Sequence, residues 1–137
     1  MPISILLVDD NSILADALPR LLALDKRFAW AGWVHDASGL EDQIRSACPD
    51  VVLMDVDMPG VETFGLVRRL GQTCPGTKVV MFSGHVREEY TSAALDAGAC
   101  GYLHKDDNLA DLLDGFERVH QGEVVLSPAV QRSLWQP

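Results

Sequence analysis

The sequence of 137 residues has few cysteines and no pairing of cysteine or histidine at metal-ligand spacing. Its three cysteines, Cys48, Cys74 and Cys100, lie far apart and form no CxxC motif. This spacing excludes a disulfide framework and a zinc site, and it predicts free thiols in a reducing compartment. The four histidines show no ligand spacing either.

Positive charge and long apolar segments are also scarce. Eleven Lys and Arg residues stand against twenty Asp and Glu residues, which gives a formal net charge of −9. Nucleic-acid binding requires clustered basic residues, so this domain is not expected to bind DNA or RNA directly. No apolar run has the length of a membrane span, and no basic segment precedes the N-terminal apolar run as in a secretory signal. These absences predict a cytoplasmic protein without a membrane partner.

Glycine loops that bind phosphate are absent as well. The sequence contains neither GxxxxGK[ST] nor GxGxxG, which argues against a nucleotide-binding module. What the sequence does contain is apolar residues, at 47% of the total, enough for one domain with a substantial core.

Apolar runs alternate with segments of helical periodicity along the whole chain. Strands are predicted at residues 3–8, 28–34, 51–54, 78–82 and 101–103, and helices at about 12–24, 39–47, 62–71, 86–97 and 109–119. The nearly continuous apolar character of three strands is typical of strands covered on both faces. The alternation therefore predicts an α/β fold with a doubly wound parallel sheet of five strands. Pro19 is expected to kink or destabilise the first helix.

Polar residues follow four of the predicted strands: Asp9 and Asp10, Asp55 and Asp57, Ser83, and Lys105. Each alone has an ordinary explanation, such as a helix N-cap or a turn. In a parallel sheet, however, the carboxyl ends of the strands meet at one edge, where ligands bind. Three or four carboxylates, one hydroxyl and one ammonium are therefore expected to share a site.

The residue types at this edge suit phosphoryl transfer to a carboxylate. Clustered carboxylates repel one another, and an all-oxygen ligand set favours Mg²⁺ or Mn²⁺. Asp9 and Asp10 are expected to hold the ion, with Asp55 and the backbone carbonyl of Asp57. Asp55, after a central strand, is the predicted nucleophile towards phosphorus.

The remaining polar groups of the edge are predicted to hold phosphoryl oxygens. Lys105 supplies a point charge, and Ser83 supplies a hydrogen bond.

Four segments together carry a resemblance to a known family: LLVDD (6–10), PDVVLMDVDMPG (49–60), VVMFSG (79–84) and ALDAGACGYLHK (94–105). In this order and spacing they resemble the response-regulator receiver domain of two-component signalling, over residues 3 to about 120. The resemblance implies a flavodoxin-like (βα)5 fold with strand order 2-1-3-4-5. It also implies a regulatory domain rather than an enzyme, which takes phosphate from a sensor histidine kinase onto Asp55 with Mg²⁺.

The resemblance further implies a switch. Ser83 and Tyr102 would form the switch pair: Ser83 moves towards the phosphoryl group and Tyr102 turns inwards. The surface of the fourth helix, fifth strand and fifth helix then changes its partner preference, and a homodimer through this surface or through the first and fifth helices is a further expectation. Asp57 and His85 occupy positions that flank the phosphoryl group and would tune its hydrolysis. The alternative for Tyr102 is a half-buried aromatic residue on an edge strand.

Two features concern the rest of the chain. The segment 121–137 resembles the one that, in the NarL/FixJ subfamily, leads from a receiver (here 1–120) into a LuxR-type helix-turn-helix DNA-binding domain, which this chain lacks. Thr63 stands where the family usually has glycine. Because a β-branched residue disfavours positive φ, the loop after Asp55 is expected to be reshaped.

Two other functions remain open from the sequence. One is a receiver-like binding module that acts without phosphorylation. The other is a phosphatase of the haloacid-dehalogenase type, because VVLMDVD resembles its hhhhDxD motif, with Asp55 as nucleophile and Asp57 as general acid. That family usually carries DxD near the start of the chain, whereas here Asp9 and Asp10 lie upstream.

Overall fold

One parallel sheet with helices on both faces forms the part of the chain that the computed structural model describes, residues 1–135. The strands are β1 (Ile3–Val8), β2 (Phe28–Val34), β3 (Val51–Asp55), β4 (Lys78–Ser83), β5 (Gly101–His104) and β6 (Val125–Leu126). The helices are α1 (Ser12–Ala23), α2 (Leu40–Ala47), α3 (Thr63–Thr73), α4 (Glu88–Ala97), α5 (Leu109–His120) and α6 (Pro128–Trp135). None of these helices is long and apolar enough to cross a bilayer.

The strand order is β2-β1-β3-β4-β5-β6. It confirms the predicted order 2-1-3-4-5, but the predicted count of five strands is wrong. The sixth strand follows α5 and pairs with β5, where the Val125 amide donates to the Cys100 carbonyl at 3.0 Å. Two residues are too few to show the alternation of apolar and polar side chains that indicates a strand. The sequence therefore does not distinguish this segment from an irregular C-terminal segment.

The central strands are buried because helices cover both faces of the sheet. All of β3 is buried, as are β1 and β4 apart from one residue each. One core lies between the sheet and helices α1 and α5, around Leu18 and Phe116. The other lies on the opposite face, against α2, α3 and α4, around Ile44 and Leu70. This two-sided burial places β3, and Asp55 at its carboxyl end, in the middle of the domain.

A local hydrogen bond explains where α1 begins. The Asn11 side chain accepts from the Ile13 amide at 2.8 Å and caps α1. Pro19 lies inside α1, and the helix continues past it to Ala23.

Thr63 does not disturb the loop after β3 in the expected way. It is the first residue of α3, and its hydroxyl donates to the Val56 carbonyl at 3.1 Å. The positive φ of this loop is at Gly60, at 75°. The predicted conflict between a β-branched residue and a positive φ is therefore wrong, because the chain has already entered the helix at Thr63.

Candidate functional site

Three carboxylates converge at the carboxyl edge of the sheet. β1 and β3 are neighbours in register, with Val8 opposite Met54, so the residues that follow them, Asp9 and Asp55, lie side by side. One carboxylate oxygen from each of Asp9, Asp10 and Asp55 lies within 4.8 Å of the others. Asp9 and Asp55 are 1% and 4% exposed, whereas Asp10 is open to solvent. The predicted convergence of these three acids is present in the structure.

Lys105 brings a positive charge to this cluster. Its Nζ lies 3.2 Å from Asp55 Oδ2 and 3.5 Å from Asp9 Oδ2. Its backbone amide donates to the Ser83 carbonyl at 2.9 Å, which fixes the start of the side chain beside β4. Burial alone would lower the pKa of Lys105, but the charges of Asp55 and Asp9 outweigh this and raise it. The ammonium is therefore charged at neutral pH.

Negative charge exceeds positive charge in the cluster. Burial raises the pKa of Asp9, and repulsion from Asp55 adds to the increase, while the amide of Asn11 and the charge of Lys105 oppose it. Asp9 and Asp55 share the ammonium of Lys105, and Asp10 adds a third carboxylate, so the negative charge of the cluster is incompletely compensated. A divalent cation with oxygen ligands, Mg²⁺ or Mn²⁺, fits this donor set.

Backbone amides orient the two buried carboxylates. Asp9 Oδ1 accepts from the Asn11 amide at 2.9 Å, and Asp55 Oδ1 accepts from the Asp57 amide at 3.0 Å. The other oxygen of each carboxylate faces Lys105. The Asp57 side chain itself is exposed.

Ser83 lies at the same edge, but its hydroxyl is engaged elsewhere. It ends β4 and is 1% exposed. Its Oγ donates to the His85 carbonyl at 2.8 Å and accepts from the His85 amide at 3.0 Å. The imidazole of His85 belongs to an exposed residue. The structure thus places Ser83 beside Lys105 without bonding its hydroxyl to the carboxylates.

Tyr102 is fully buried in β5, between β4 and β6. The interpretation of Tyr102 as a half-buried aromatic residue on an edge strand is therefore wrong. Its ring belongs to the same core as Val130 of α6. Its hydroxyl is buried and has no hydrogen-bond partner among residues 1–135. Burial raises the pKa of Tyr102.

A family comparison agrees with this geometry. Residues 5–117 match the model of the response regulator receiver domain. The chain belongs to this family. The transcriptional regulatory protein DegU of Brevibacillus brevis is 32% identical over 132 residues, covering 96% of this chain and 56% of DegU. The nitrate/nitrite response regulator NarL of Escherichia coli K12 is 32% identical over 129 residues, covering 94% of this chain and 60% of NarL.

Solved structures show the same receiver fold. A LuxR-family two-component response regulator from Aurantimonas sp. SI85-9A1 matches 98% of this chain and 96% of its own, with a TM-score of 0.87 and 27% identity. The receiver domain of a NarL from Mycobacterium tuberculosis matches with a TM-score of 0.82 at 24% identity, over 89% of this chain and 98% of its own, and shows the fold alone. The likeness to NarL and to a LuxR-family regulator confirms the predicted subfamily. The chain spans about three fifths of the length of the curated relatives that it matches.

Sequence patterns do not identify two residues, Trp33 and Asp107, that contact segments of the candidate site. The Trp33 indole N–H donates to the backbone carbonyl of Asp9 at 2.7 Å. Asp107, in the loop after Lys105, accepts from the His104 amide at 2.7 Å and from the Ala129 amide at 3.3 Å, and so ties this loop to α6. No sequence signal identifies either residue, because each contact joins segments distant in the chain or depends on the sixth helix.

Proposed function

We propose that this receiver domain accepts a phosphoryl group on Asp55 from the phosphohistidine of a sensor histidine kinase. A carboxylate oxygen of Asp55 would attack phosphorus, the P–N bond would break, and the histidine of the kinase would leave. The observation that carries the proposal is the placement of Asp55. It is buried at the centre of the functional edge, with one oxygen held by the Asp57 amide and the other near Lys105.

The other carboxylates would hold the cation. Asp9, Asp10 and Asp55 supply side-chain oxygens, and the backbone carbonyl of Asp57 completes the proposed protein ligands for Mg²⁺ or Mn²⁺. When bound, the ion supplies positive charge that offsets the carboxylates and the incoming phosphoryl group.

Lys105 and Ser83 would contact phosphoryl oxygens. The ammonium of Lys105 already lies at the Asp55 carboxylate. The Ser83 hydroxyl would first have to leave the carbonyl of His85, to which it now donates. The side chains of His85 and Asp57 are exposed at the rim, where they would tune how fast water reaches the phosphoryl group.

The output of the switch would run through Ser83 and Tyr102. Because Tyr102 is already buried, phosphorylation would stabilise this inward position rather than create it, as a shift in a pre-existing equilibrium. The surface of α4, β5 and α5 would then change its preference for partners, including a second copy of the chain. The segment 121–137 would connect the receiver, 1–120, to a DNA-binding domain of the LuxR type, so that a cytoplasmic phosphorylation event controls transcription.

The test is the intact mass of the protein after incubation with Mg²⁺ and acetyl phosphate. The wild type should gain one phosphoryl group, Asp55→Asn should gain none, and EDTA added before the reaction should prevent the gain. Asp57→Asn is the matched control: it neutralises a nearby exposed carboxylate and should still be phosphorylated. A folded wild type that gains no phosphoryl group contradicts the proposal and favours a phosphate-independent binding module. Multiple turnover of small phosphoesters would instead favour the phosphatase function.

A further inference from the structure

The pairing of β1 and β2 contains an irregularity close to the site. Ile5 is paired with Trp30, but the next residue, Leu6, is paired with Gly32, so Ala31 is an extra residue in β2. Gly32 has a φ of 139°, a backbone conformation that residues with a side chain rarely adopt. A bulge of this kind changes the direction in which the following side chains point.

The residue directly after the bulge is Trp33. Its indole Nε1 lies 2.7 Å from the backbone carbonyl oxygen of Asp9, at the short end of the range for such hydrogen bonds. The ring is half-buried against the core on the α1 side of the sheet and lies 5.2 Å from the ring of His35, centroid to centroid. The side chain is therefore held by packing as well as by its hydrogen bond.

Three hydrogen bonds hold Asp9, and each acts on a different group. Its amide donates to the Val34 carbonyl at 3.2 Å, its carboxylate accepts from the Asn11 amide at 2.9 Å, and its carbonyl accepts from Trp33. That carbonyl belongs to the peptide unit that joins Asp9 to Asp10. The indole thus fixes the plane of this peptide, and with it the direction in which Asp10 leaves the strand.

We propose that Trp33 is a positioning residue for the cation site. Its indole N–H holds the Asp9–Asp10 peptide in the orientation that makes both carboxylates converge with Asp55. The inference rests on the proposed function in one respect, that these three carboxylates bind the cation. Side-chain groups outside the ligand shell commonly change metal affinity by 10- to 100-fold when they are removed.

The test is a titration of the full chain with Mn²⁺, followed by the electron paramagnetic resonance signal of the free ion. Trp33→Phe keeps an aromatic ring but loses the donor, and it should weaken Mn²⁺ binding about tenfold. Trp30→Phe is the matched control: this tryptophan lies on the same strand and packs against the same core, but donates no hydrogen bond to the site within the described residues. It should bind Mn²⁺ as the wild type does. The thermal midpoint of each variant without metal shows whether packing has been lost.

Equal Mn²⁺ affinity in Trp33→Phe and the wild type overturns the inference, as does an equal loss in both tryptophan variants. A wild type that binds no Mn²⁺ overturns the cation site of the proposed function as well, so the two failures are distinguishable.

A measurement on the wild type covers the case in which Trp33→Phe does not fold. Because coupling is reciprocal, Mg²⁺ should slow hydrogen exchange of the Trp33 indole N–H and leave that of Trp30 unchanged. Unchanged exchange at Trp33 under saturating Mg²⁺ also overturns the inference.

Discussion

The two ends of β3 carry aspartates in opposite situations. At the amino end, Asp50 Oδ2 accepts from the Ser4 amide at 2.9 Å and from the Ser4 hydroxyl at 3.2 Å. The Asp50 amide donates back to that hydroxyl at 2.8 Å, and its carbonyl accepts from the Lys78 amide at 2.9 Å. Asp50 therefore links β1, β3 and β4 through neutral donors of the protein.

At the carboxyl end, Asp55 has one neutral backbone donor and shares the ammonium of Lys105 with Asp9. The neighbouring carboxylates of Asp9 and Asp10 add negative charge around Asp55 rather than hydrogen-bond donors. The comparison shows that an aspartate at a strand end is structural when the protein's own donors satisfy it. It is a candidate for chemistry when like charges surround it and its own charge is incompletely compensated, an arrangement that is expected to lower stability.

The largest effect on stability is expected from Asp50→Ala. The substitution leaves the partly buried amide and hydroxyl of Ser4 without their acceptor, and the free energy of unfolding should fall by about 3 kcal/mol. Urea denaturation measures this loss, and Asp50→Asn, which keeps one acceptor oxygen, should lose less. The folded fraction should still take up phosphate from acetyl phosphate. A folded Asp50→Ala protein that cannot be phosphorylated would break the comparison, because the two ends of β3 would then be coupled.

A smaller effect is expected from Asp107→Ala. This variant tests whether the role of an aspartate follows from its place at the edge of the sheet or from the hydrogen bonds that it accepts. Asp107 lies in the loop that follows β5, at the carboxyl edge of the sheet, but like Asp50 it accepts two hydrogen bonds from neutral donors, here the amides of His104 and Ala129. Its loss should reduce the free energy of unfolding by about 1.5 kcal/mol and speed amide exchange in α6. Asp106→Ala, which removes an exposed neighbour, is the control. Unchanged exchange in α6 would show that Asp107 does not hold this helix.

The smallest effect, and the only gain, is expected from Asp9→Asn. Because the pKa of Asp9 is raised in the folded protein, its charge destabilises the fold above that pKa. The variant should therefore be more stable at pH 7 by about 1 kcal/mol. The advantage should disappear as pH falls below about 4, where the carboxyl group is protonated in the unfolded chain as well. Thermal melts at several pH values test this, and Asp10→Asn, at an exposed carboxylate, should gain less. Lower stability of Asp9→Asn at pH 7 would mean that its ion pair with Lys105 outweighs burial.

Most of the architecture was predictable because the information is local. Apolar runs and helical periodicity located five strands and five helices to within a few residues, and the polar residues that follow four of these strands could be assigned to one edge. The sixth strand was not predicted because Val125 and Leu126 make too short an apolar run, and the helix that follows it was not predicted either. The burial of Tyr102 was missed for the same reason, since it depends on β6 and α6 lying beside β5.

By itself, the sequence determined the fold class, the strand order through its family resemblance, and the identity of the acids and the lysine that meet at one edge. Residue type and spacing suffice for this, because a parallel sheet brings the carboxyl ends of its strands together. Only the tertiary structure decided how each polar group is used. In the folded chain the Ser83 hydroxyl donates to the His85 carbonyl, and the carboxylates of Asp50 and Asp107 accept hydrogen bonds from the protein. The bulge in β2 precedes Trp33, whose indole N–H donates to the Asp9 carbonyl. These outcomes depend on hydrogen bonds and burial between distant segments, which no local pattern of residues encodes.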